Sequence, residues 1–332
     1  RTLRRLASVT GEDGGGNRVV RPRPTDTTTR QRRQSGTEMS EQERFRSVVR
    51  GALRRADAAF AELSDDDRRA VPTADADFTT AFDRSLTERF ERFFADQSAR
   101  YAVLTEEQTK SSTADADYLA IVDEVDGTAN LAKGVGELPF GPVVAVCDDL
   151  DPTFGDVAAM GYLVLPTGDL YEAYRDEGAF LTRRWATDGD DRRTRLETTG
   201  RTSADGTPPD VLVDQYMLAE RPELASVLWR LGYPGDYRNL GHHSALVARG
   251  AYDVAVSGDY CHLHEGKRAT AEELAGAFRL VREAGGTVTD WNGDSLRTQR
   301  IGFAEGKPHD VVVAASEALA SDVAGRLSNA PP

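Results

Sequence analysis

The sequence predicts a layered fold of the α+β or α/β class, in which helices pack against sheets. Segments with helical periodicity alternate with short apolar, strand-like segments along most of the 332 residues. In the first half, successive strand-like segments indicate an antiparallel meander, with Pro166-Thr167-Gly168 as one of its turns. Hydrophobic residues make up 39% of the chain, which is enough for a substantial core.

Individual elements follow from the spacing of apolar residues. The pattern is clearest in the first helix, where Phe45, Val48 and Leu53 fall on one face. The helix that ends at Glu283 is followed by Gly285-Gly286, a typical C-terminal stop. The predicted helices cover residues 41–63, 78–95, 222–231, 244–249, 271–283 and 317–327. The predicted strands cover residues 101–104, 118–122, 140–147, 158–165, 170–174, 211–213, 252–256 and 311–314.

Composition changes along the chain predict its organisation. Residues 1–38 are basic, rich in Arg, Gly, Thr and Pro, and lack apolar periodicity. We expect a disordered tail there, or upstream sequence ahead of a true start at Met39. Residues 186–209 are polar and charged, so we expect an N-terminal half over 39–185 and a C-terminal half over 186–332.

Charge and composition exclude several classes of protein. The net charge of -14 argues against general nucleic-acid binding, which needs a basic surface. Apolar runs fall short of a membrane span, and the two cysteines lack zinc-like spacing, so we expect a cytoplasmic protein that binds neither membrane nor nucleic acid. Only 4 of the 41 basic residues are lysine. This acidic, lysine-poor composition predicts adaptation to high salt, and a GC-rich genome is the alternative explanation.

The candidate metal- and phosphate-binding residues cluster in residues 121–130, which read Ile-Val-Asp-Glu-Val-Asp-Gly-Thr-Ala-Asn. Asp123 and Asp126 follow the end of a predicted strand, where crowded carboxylates repel one another unless a hard cation such as Mg²⁺ lies between them. Gly127 lets the backbone approach a ligand closely, and free N–H groups at a helix start attract phosphate. The stretch therefore indicates a metal and phosphate site, with a solvated Asp-rich turn as the alternative.

Two further motifs flank this stretch, one before it and one after it in the chain. They are the acidic pair in Thr105-Glu106-Glu107 and the helix end Glu283-Ala284-Gly285-Gly286. With the central motif, they make residues 41 to about 327 resemble the inositol monophosphatase family, the lithium-sensitive, Mg²⁺-dependent phosphatases that include fructose-1,6-bisphosphatases. Asp83 also falls at the family's distance before Glu106. The resemblance implies an α-β-α-β-α layered sandwich with the metal site in the N-terminal half, completed by the C-terminal half.

The resemblance also implies a set of ligands for two or three Mg²⁺ ions, with Mn²⁺ as an alternative. Glu106, Asp123 and the Val125 carbonyl would hold one ion. Asp123, Asp126 and the carboxylate at the start of the helix that ends at Glu283 would hold a second, and Asp83 and Glu106 would attend a weaker third.

The same resemblance assigns the remaining site residues. Thr128, together with Asp83 or Glu106, would align a metal-activated water for attack, while the N–H groups of Gly127 and Thr128 hold phosphate oxygens. A Gly-rich turn contacts the substrate in the family. Here the corresponding residues are expected to meet a second phosphate or sugar hydroxyls, or to have no role; they are Gly241, His242 and His243.

This sequence departs from the family pattern at three places. Glu124 replaces the usual proline, and either adds negative charge beside the metals or points into solvent. Glu273 stands where the family has aspartate at the start of the last motif's helix. An apparent insertion over residues 261–268 leaves an alternative, because Glu265 or His264 would take the ligand role if that helix began earlier.

The expected function is Mg²⁺-dependent hydrolysis of a small phosphorylated polyol, sugar or nucleotide, with inhibition by lithium. The resemblance also implies a homodimer as one form of assembly. The alternative is a catalytically silent family member that binds a phosphometabolite or a protein partner. The departures at Glu124 and Glu273 favour this alternative, and the retained Asp83, Glu106 and Thr128 favour an enzyme.

Overall fold

The computed structural model describes residues 39–67, 69, 71–72, 78–106, 114–133, 138–190, 192–215, 217–258, 270–301 and 310–330. The predicted tail over residues 1–38 lies outside this part of the chain, as do Glu107, His264 and Glu265. The statements below concern the described residues.

Two large sheets and one short hairpin contain the described strands. In chain order, the strands are β1 (Val71–Pro72), β2 (Phe78–Thr79), β3 (Tyr101–Thr105), β4 (Tyr118–Asp126), β5 (Gly141–Cys147), β6 (Val157–Val164), β7 (Asp169–Tyr174), β8 (Gly178–Thr182), β9 (Arg193–Arg195), β10 (Asp210–Val213), β11 (Tyr233–Gly235), β12 (Val254–Ser257), β13 (Thr287–Asp290) and β14 (Val311–Ala314). The first large sheet has the order β3-β4-β5-β6-β7-β8-β9, and the second has β11-β10-β12-β14-β13. Strands β5, β6 and β7 form the predicted antiparallel meander, β4 and β8 extend it on either side, and β3 runs parallel to β4.

Helices cover both faces of the first sheet and both faces of the second. The described helices are α1 (Glu41–Ala61), α2 (Ala81–Ala95), α3 (Thr128–Ala132), α4 (Trp185–Asp188), α5 (Met217–Glu220), α6 (Pro222–Leu231), α7 (Leu240–Ala248), α8 (Ala271–Glu283) and α9 (Glu317–Ser328). Helices α1 and α2 pack on the outer face of the first sheet, α7 and α8 lie between the sheets, and α6 and α9 cover the second. This arrangement confirms the predicted α-β-α-β-α sandwich.

Three apolar clusters correspond to the three helical layers. The largest lies between the sheets around α7 and α8, and the others lie beneath α1 with α2 and beneath α6 with α9. Strand β10 shows how the layers are built. Leu212 belongs to the cluster between the sheets, while Val211 and Val213 belong to the outer one, because successive strand side chains point to opposite faces.

Three element boundaries differ from the predicted ones by three or more residues. Helix α2 begins at Ala81 rather than at residue 78, because Phe78 and Thr79 pair with β1 and Thr80 caps the helix. Strand β4 continues to Asp126 instead of ending at residue 122. Helix α7 begins at Leu240 rather than at residue 244, because the Asn239 side chain caps it by accepting from the His242 N–H.

The polar segment over residues 186–209 contains structure of its own. Helix α4 reaches into it, and β9 adds a last strand to the first sheet. The first sheet thus extends ten residues beyond the division expected at residue 185, and that division stays a prediction. None of the described helices is long and apolar enough to span a bilayer.

Candidate active site

The end of β4 brings two aspartates to the same place. Residues three apart in a regular strand point to opposite faces, which would separate Asp123 from Asp126. The pairing of β4 with β5 shifts register between these two residues, and such a bulge re-aims side chains. The irregularity explains why both carboxylates face one site.

Glu273 completes an acidic cluster with these aspartates. Carboxylate oxygens of Asp123, Asp126 and Glu273 all lie within 4.8 Å of one another. Glu273 is the third residue of α8, and its Oε2 accepts a hydrogen bond of 2.8 Å from the Thr270 N–H. The structure thus brings together the carboxylates expected to hold the second ion. The alternatives Glu265 and His264 lie outside the described residues.

The electrostatics of Asp123 indicate that this cluster fits a cation. Asp123 is 1% exposed, and among the described residues its Oδ1 has no hydrogen-bond partner. Burial raises the pKa of Asp123 well above its usual range, and the carboxylates of Glu106, Asp126, Glu273 and Glu124 raise it further. Buried carboxylates that repel one another are stabilised by a divalent cation with oxygen preference.

Glu106 lies beside Asp123 at the carboxyl end of the neighbouring strand. The parallel register pairs Thr105 in β3 with Val122 in β4, so the next residues, Glu106 and Asp123, are also neighbours. Glu106 is exposed, and its charge is the second largest cause of the raised Asp123 pKa. It lies outside the tight group of three, and its expected place at the other ion stays a prediction.

Helix α7 holds Asp126 through its first turn. The Gly241 N–H donates a 2.5 Å hydrogen bond to Asp126 Oδ2, and the Asn239 side-chain amide donates one of 2.7 Å to the Asp126 carbonyl. A Cβ atom at residue 241 would lie 2.3 Å from Asp126 Oδ2, so any larger residue would displace the carboxylate. In the structure, Gly241 contacts Asp126, which is a candidate metal ligand. The expected contact between Gly241 and the substrate stays a prediction.

Thr128 and Asp83 meet as the predicted catalytic role requires. The Thr128 hydroxyl lies 3.2 Å from Asp83 Oδ1 and 2.9 Å from the Val125 carbonyl oxygen. Asp83 is the third residue of α2, and its Oδ2 accepts from the Thr80 N–H at 2.8 Å and from the Thr80 hydroxyl. The helix cap therefore fixes the Asp83 carboxylate while Oδ1 faces Thr128.

Gly127 links this turn to Asn239. Its φ of +91° lies in the left-handed region that favours glycine. A Cβ atom here would lie 2.7 Å from Asn239 Nδ2, so a larger residue would push Asn239 away. The glycine therefore permits both the turn and the close approach of α7.

Glu124 points away from solvent, which excludes one of its two predicted alternatives. The side chain is 1% exposed, and its Oε1 accepts a 2.6 Å hydrogen bond from the Thr87 hydroxyl of α2. Its charge is the smallest of the named contributions to the Asp123 pKa. Glu124 thus adds a modest negative charge to the site from the α2 side of the sheet.

The two histidines of α7 occupy protected positions. Nε2 of His243, which is 2% exposed, accepts a 2.9 Å hydrogen bond from the Tyr237 N–H. Burial, with smaller contributions from the nearby His243 and Arg249, lowers the pKa of His242 to about 3. His242 is therefore neutral at physiological pH. Substrate contact by either histidine stays a prediction, and the His243 contact with Tyr237 is structural.

Sequence reasoning missed Asn239 and Tyr162. Asn before a helix is a common cap signal, and it would have moved the predicted start of α7. Tyr162 lies in an apolar strand whose sequence carries no functional signal. Burial raises the pKa of Tyr162 well above its usual value, and the nearby Asp126 carboxylate adds to this shift, which places the ring beside the acidic cluster.

Known proteins resemble this chain over most of its length. The profile of the inositol monophosphatase family matches residues 37–329. A fructose-1,6-bisphosphatase/inositol-1-monophosphatase from Methanothermobacter thermautotrophicus is 29% identical over 182 residues, which span 53% of this chain and 56% of that relative. The matched segment is therefore little more than half of the relative's length.

Solved structures share the fold at low sequence identity. An inositol monophosphatase from Anabaena aligns with a TM-score of 0.64 at 17% identity, covering 88% of this chain and 98% of that one. A calcium-bound inositol monophosphatase family protein from Staphylococcus aureus aligns with a TM-score of 0.66 at 18% identity, covering 87% and 97%. Because the family profile covers nearly the whole described chain and the fold agrees, the protein belongs to the inositol monophosphatase family.

Proposed function

We propose that this protein is a divalent-metal-dependent phosphomonoesterase that acts on a small phosphorylated polyol, sugar or nucleotide. The observation that carries the proposal is the convergence of Asp123, Asp126 and Glu273, whose oxygens lie within 4.8 Å of one another. These residues come from β4 and α8, far apart in the chain. The phosphatase names of relatives and the bound calcium of the Staphylococcus protein support the same activity.

The donor set accounts for two ions. Asp123, Asp126 and Glu273 would hold one, and Glu106, Asp123 and the Val125 carbonyl would hold the other. A carbonyl oxygen has two lone pairs, so Val125 can bind an ion while it accepts from Thr128. When bound, such ions neutralise a phosphate ester and lower the pKa of a water molecule. Mg²⁺ is the expected ion because every donor is oxygen.

Thr128 is placed to orient the attacking water. Its single hydroxyl proton is donated toward Asp83 Oδ1 or the Val125 carbonyl. The hydroxyl oxygen is then left with lone pairs that accept a hydrogen bond from water. Asp83 is fixed by its helix cap, so it sets the direction of the Thr128 hydroxyl. Together, the two side chains would hold the water in one orientation for in-line attack on phosphorus.

The substrate-binding assignments rest on the turn after β4 and on α7. The N–H groups of Gly127 and Thr128 would hold phosphate oxygens, since Gly127 allows the backbone to come close. A neutral His242 offers no positive charge to a second phosphate. This favours a substrate that presents hydroxyl groups, such as a polyol or sugar monophosphate, at this side of the site.

Phosphate release from a panel of monoesters tests the proposal. The panel contains inositol 1-phosphate, fructose 1,6-bisphosphate and a nucleoside 3′-phosphate, with Mg²⁺ or Mn²⁺, in low and in high salt. We expect metal-dependent release from at least one substrate, abolished by Asp123→Asn and by Asp126→Asn in folded protein. Metal-independent release, or unchanged activity in either variant, would contradict the site. Metal binding without any release would favour the catalytically silent alternative.

A further inference from the structure

Asn239 connects the end of β4 to the start of α7 through three hydrogen bonds. Its side-chain nitrogen donates to the Asp126 carbonyl at 2.7 Å and to the Pro139 carbonyl at 3.4 Å. Its side-chain oxygen accepts from the His242 N–H at 2.5 Å. The residue is 4% exposed, so water cannot readily replace these contacts.

We propose that Asn239 is a positioning residue for the metal site. It holds the Asp126 main chain against the first turn of α7, so that the Asp126 carboxylate meets those of Asp123 and Glu273. The inference rests on the metal site proposed above, but not on the phosphatase reaction.

An amide side chain is required because the two bonds need opposite chemistry. Capping α7 needs an acceptor for the His242 N–H, and holding Asp126 needs a donor for its carbonyl. Asparagine supplies both from one short side chain. Serine and aspartate also cap helices, but neither presents a donor that reaches the Asp126 carbonyl while capping.

Holding this carbonyl also fixes its neighbour. The peptide between Asp126 and Gly127 is planar, so the direction of the Asp126 carbonyl sets the direction of the Gly127 N–H. The Gly241 N–H meanwhile holds the Asp126 carboxylate at 2.5 Å. The start of α7 therefore contacts Asp126 at two points, through Asn239 at the main chain and through Gly241 at the side chain. Loss of the Asn239 donor would remove the contact with the main chain and leave the Gly241 contact with the carboxylate in place.

Two variants separate positioning from helix capping. Asn239→Ser keeps an acceptor for the α7 cap and loses the donor to Asp126. Asn239→Ala loses both. Ser316→Ala is the matched control, because Ser316 caps α9 by accepting from the Leu319 N–H at 3.1 Å and also donates to the Arg201 carbonyl at 2.6 Å. That control removes an equivalent pair of bonds at the cap of a different helix.

Calorimetric titration of metal-free, full-length protein with Mn²⁺ gives the readout. We expect both Asn239 variants to raise the Mn²⁺ Kd by about 10-fold, the effect usual for residues that orient a ligand. Asn239→Ala should also have a lower Tm than Asn239→Ser, because only it loses the cap. Ser316→Ala should lower the Tm and leave the Kd at the wild-type value.

Several outcomes would overturn the inference. A wild-type Kd in folded Asn239→Ser would do so, as would an equal loss of affinity in Ser316→Ala. If Asn239→Ala fails to fold, Asn239→Ser alone decides. Wild-type protein that binds no Mn²⁺ would overturn the metal site and this inference together. Binding without phosphatase activity would overturn only the proposed reaction.

Discussion

Glu43 in α1 and Glu273 in α8 occupy the same position of the same local motif. Each is the third residue of its helix and accepts a hydrogen bond from the N–H of the capping residue, at 2.9 Å from Ser40 and at 2.8 Å from Thr270. Glu43 is exposed, whereas Glu273 is partly buried and lies within 4.8 Å of two other carboxylates. Capping is thus a local property of the sequence, and metal-binding potential depends on what the fold places opposite the cap.

The largest expected effect comes from removing the charge of Glu273, and removal of the Glu43 charge is the control. Glutamine serves at this position of a capping box as well as glutamate does, so Glu273→Gln and Glu43→Gln both keep the cap. We expect Glu273→Gln to lower kcat/KM by more than about 100-fold, beyond what residues around a ligand usually contribute. Glu43→Gln should stay near wild type. Phosphate release under saturating Mg²⁺ measures both, and equal activities would contradict the role of Glu273.

The next effect concerns the glycine that contacts Asp126. Gly241→Ala would place a Cβ atom 2.3 Å from Asp126 Oδ2, so the carboxylate must move. We expect the Mn²⁺ Kd to rise by about 10- to 100-fold. Gly325→Ala in α9 is the control, because a Cβ atom there meets nothing within 4 Å. Titration calorimetry compares the two, and a wild-type Kd in Gly241→Ala would show that Asp126 does not need this contact.

A smaller effect is expected on the stability of the metal-free protein. The folded pKa of Asp123 is raised above its ordinary 3.8, so its protonated form contributes stability below that value. This stability is lost as the pH rises through the folded pKa. Asp123→Asn should therefore raise the Tm in EDTA near pH 8, by about 2–4 °C for each kcal/mol added to the free energy of unfolding. The gain should shrink toward pH 5.

Glu43 provides the opposite pH dependence. Hydrogen bonds from Ser40 lower the pKa of Glu43 below its ordinary 4.5, so its contribution is present above that value and lost as the pH falls through the folded pKa. Melting curves in EDTA from pH 4 to 8 compare the pH dependence of the two contributions to stability. The proteins measured are wild type, Asp123→Asn and Glu43→Gln. A gain in Asp123→Asn that does not vary with pH would contradict the raised pKa.

The smallest effect is expected at Glu124. Glu124→Gln keeps an acceptor for the Thr87 hydroxyl and removes the weakest of the named charges acting on Asp123. We expect the Mn²⁺ Kd to change by less than about 3-fold, since the charge acts from the far side of the strand. A change comparable to that of Glu273→Gln would place Glu124 among the ligands.

Much of the candidate site could be predicted because its carboxylates follow local signals. Asp123 and Asp126 stand at a strand end, and the register of the helix ending at Glu283 pointed to Glu273, whose carboxylate lies within 4.8 Å of theirs. Its role as a ligand stays a prediction. The layered fold followed from alternating periodicities and the family resemblance. Glu106 was placed next to Asp123 through parallel pairing, which the order of motifs alone did not show.

What could not be predicted depends on contacts between distant segments. Gly241 meets Asp126 across 115 positions of the chain, so its role as a backbone donor has no local signature. The facing of Asp126 depends on the irregularity of β4 after Asp123, which re-aims side chains that regular alternation would separate. His242 and His243 were expected in a turn because the family resemblance implies one there, and the structure places them in α7, which the Asn239 side chain caps. The cytoplasmic location, the homodimer and the adaptation to high salt stay predictions.

The central claim is that Asp123, Asp126 and Glu273 together hold a divalent cation. Anomalous diffraction from crystals of the metal-free protein soaked in Mn²⁺ tests it directly. We predict a Mn²⁺ peak within bonding distance of all three carboxylates, absent in Glu273→Gln crystals. Mn²⁺ peaks found only away from these three carboxylates, or no Mn²⁺ peak after the soak, would contradict the account.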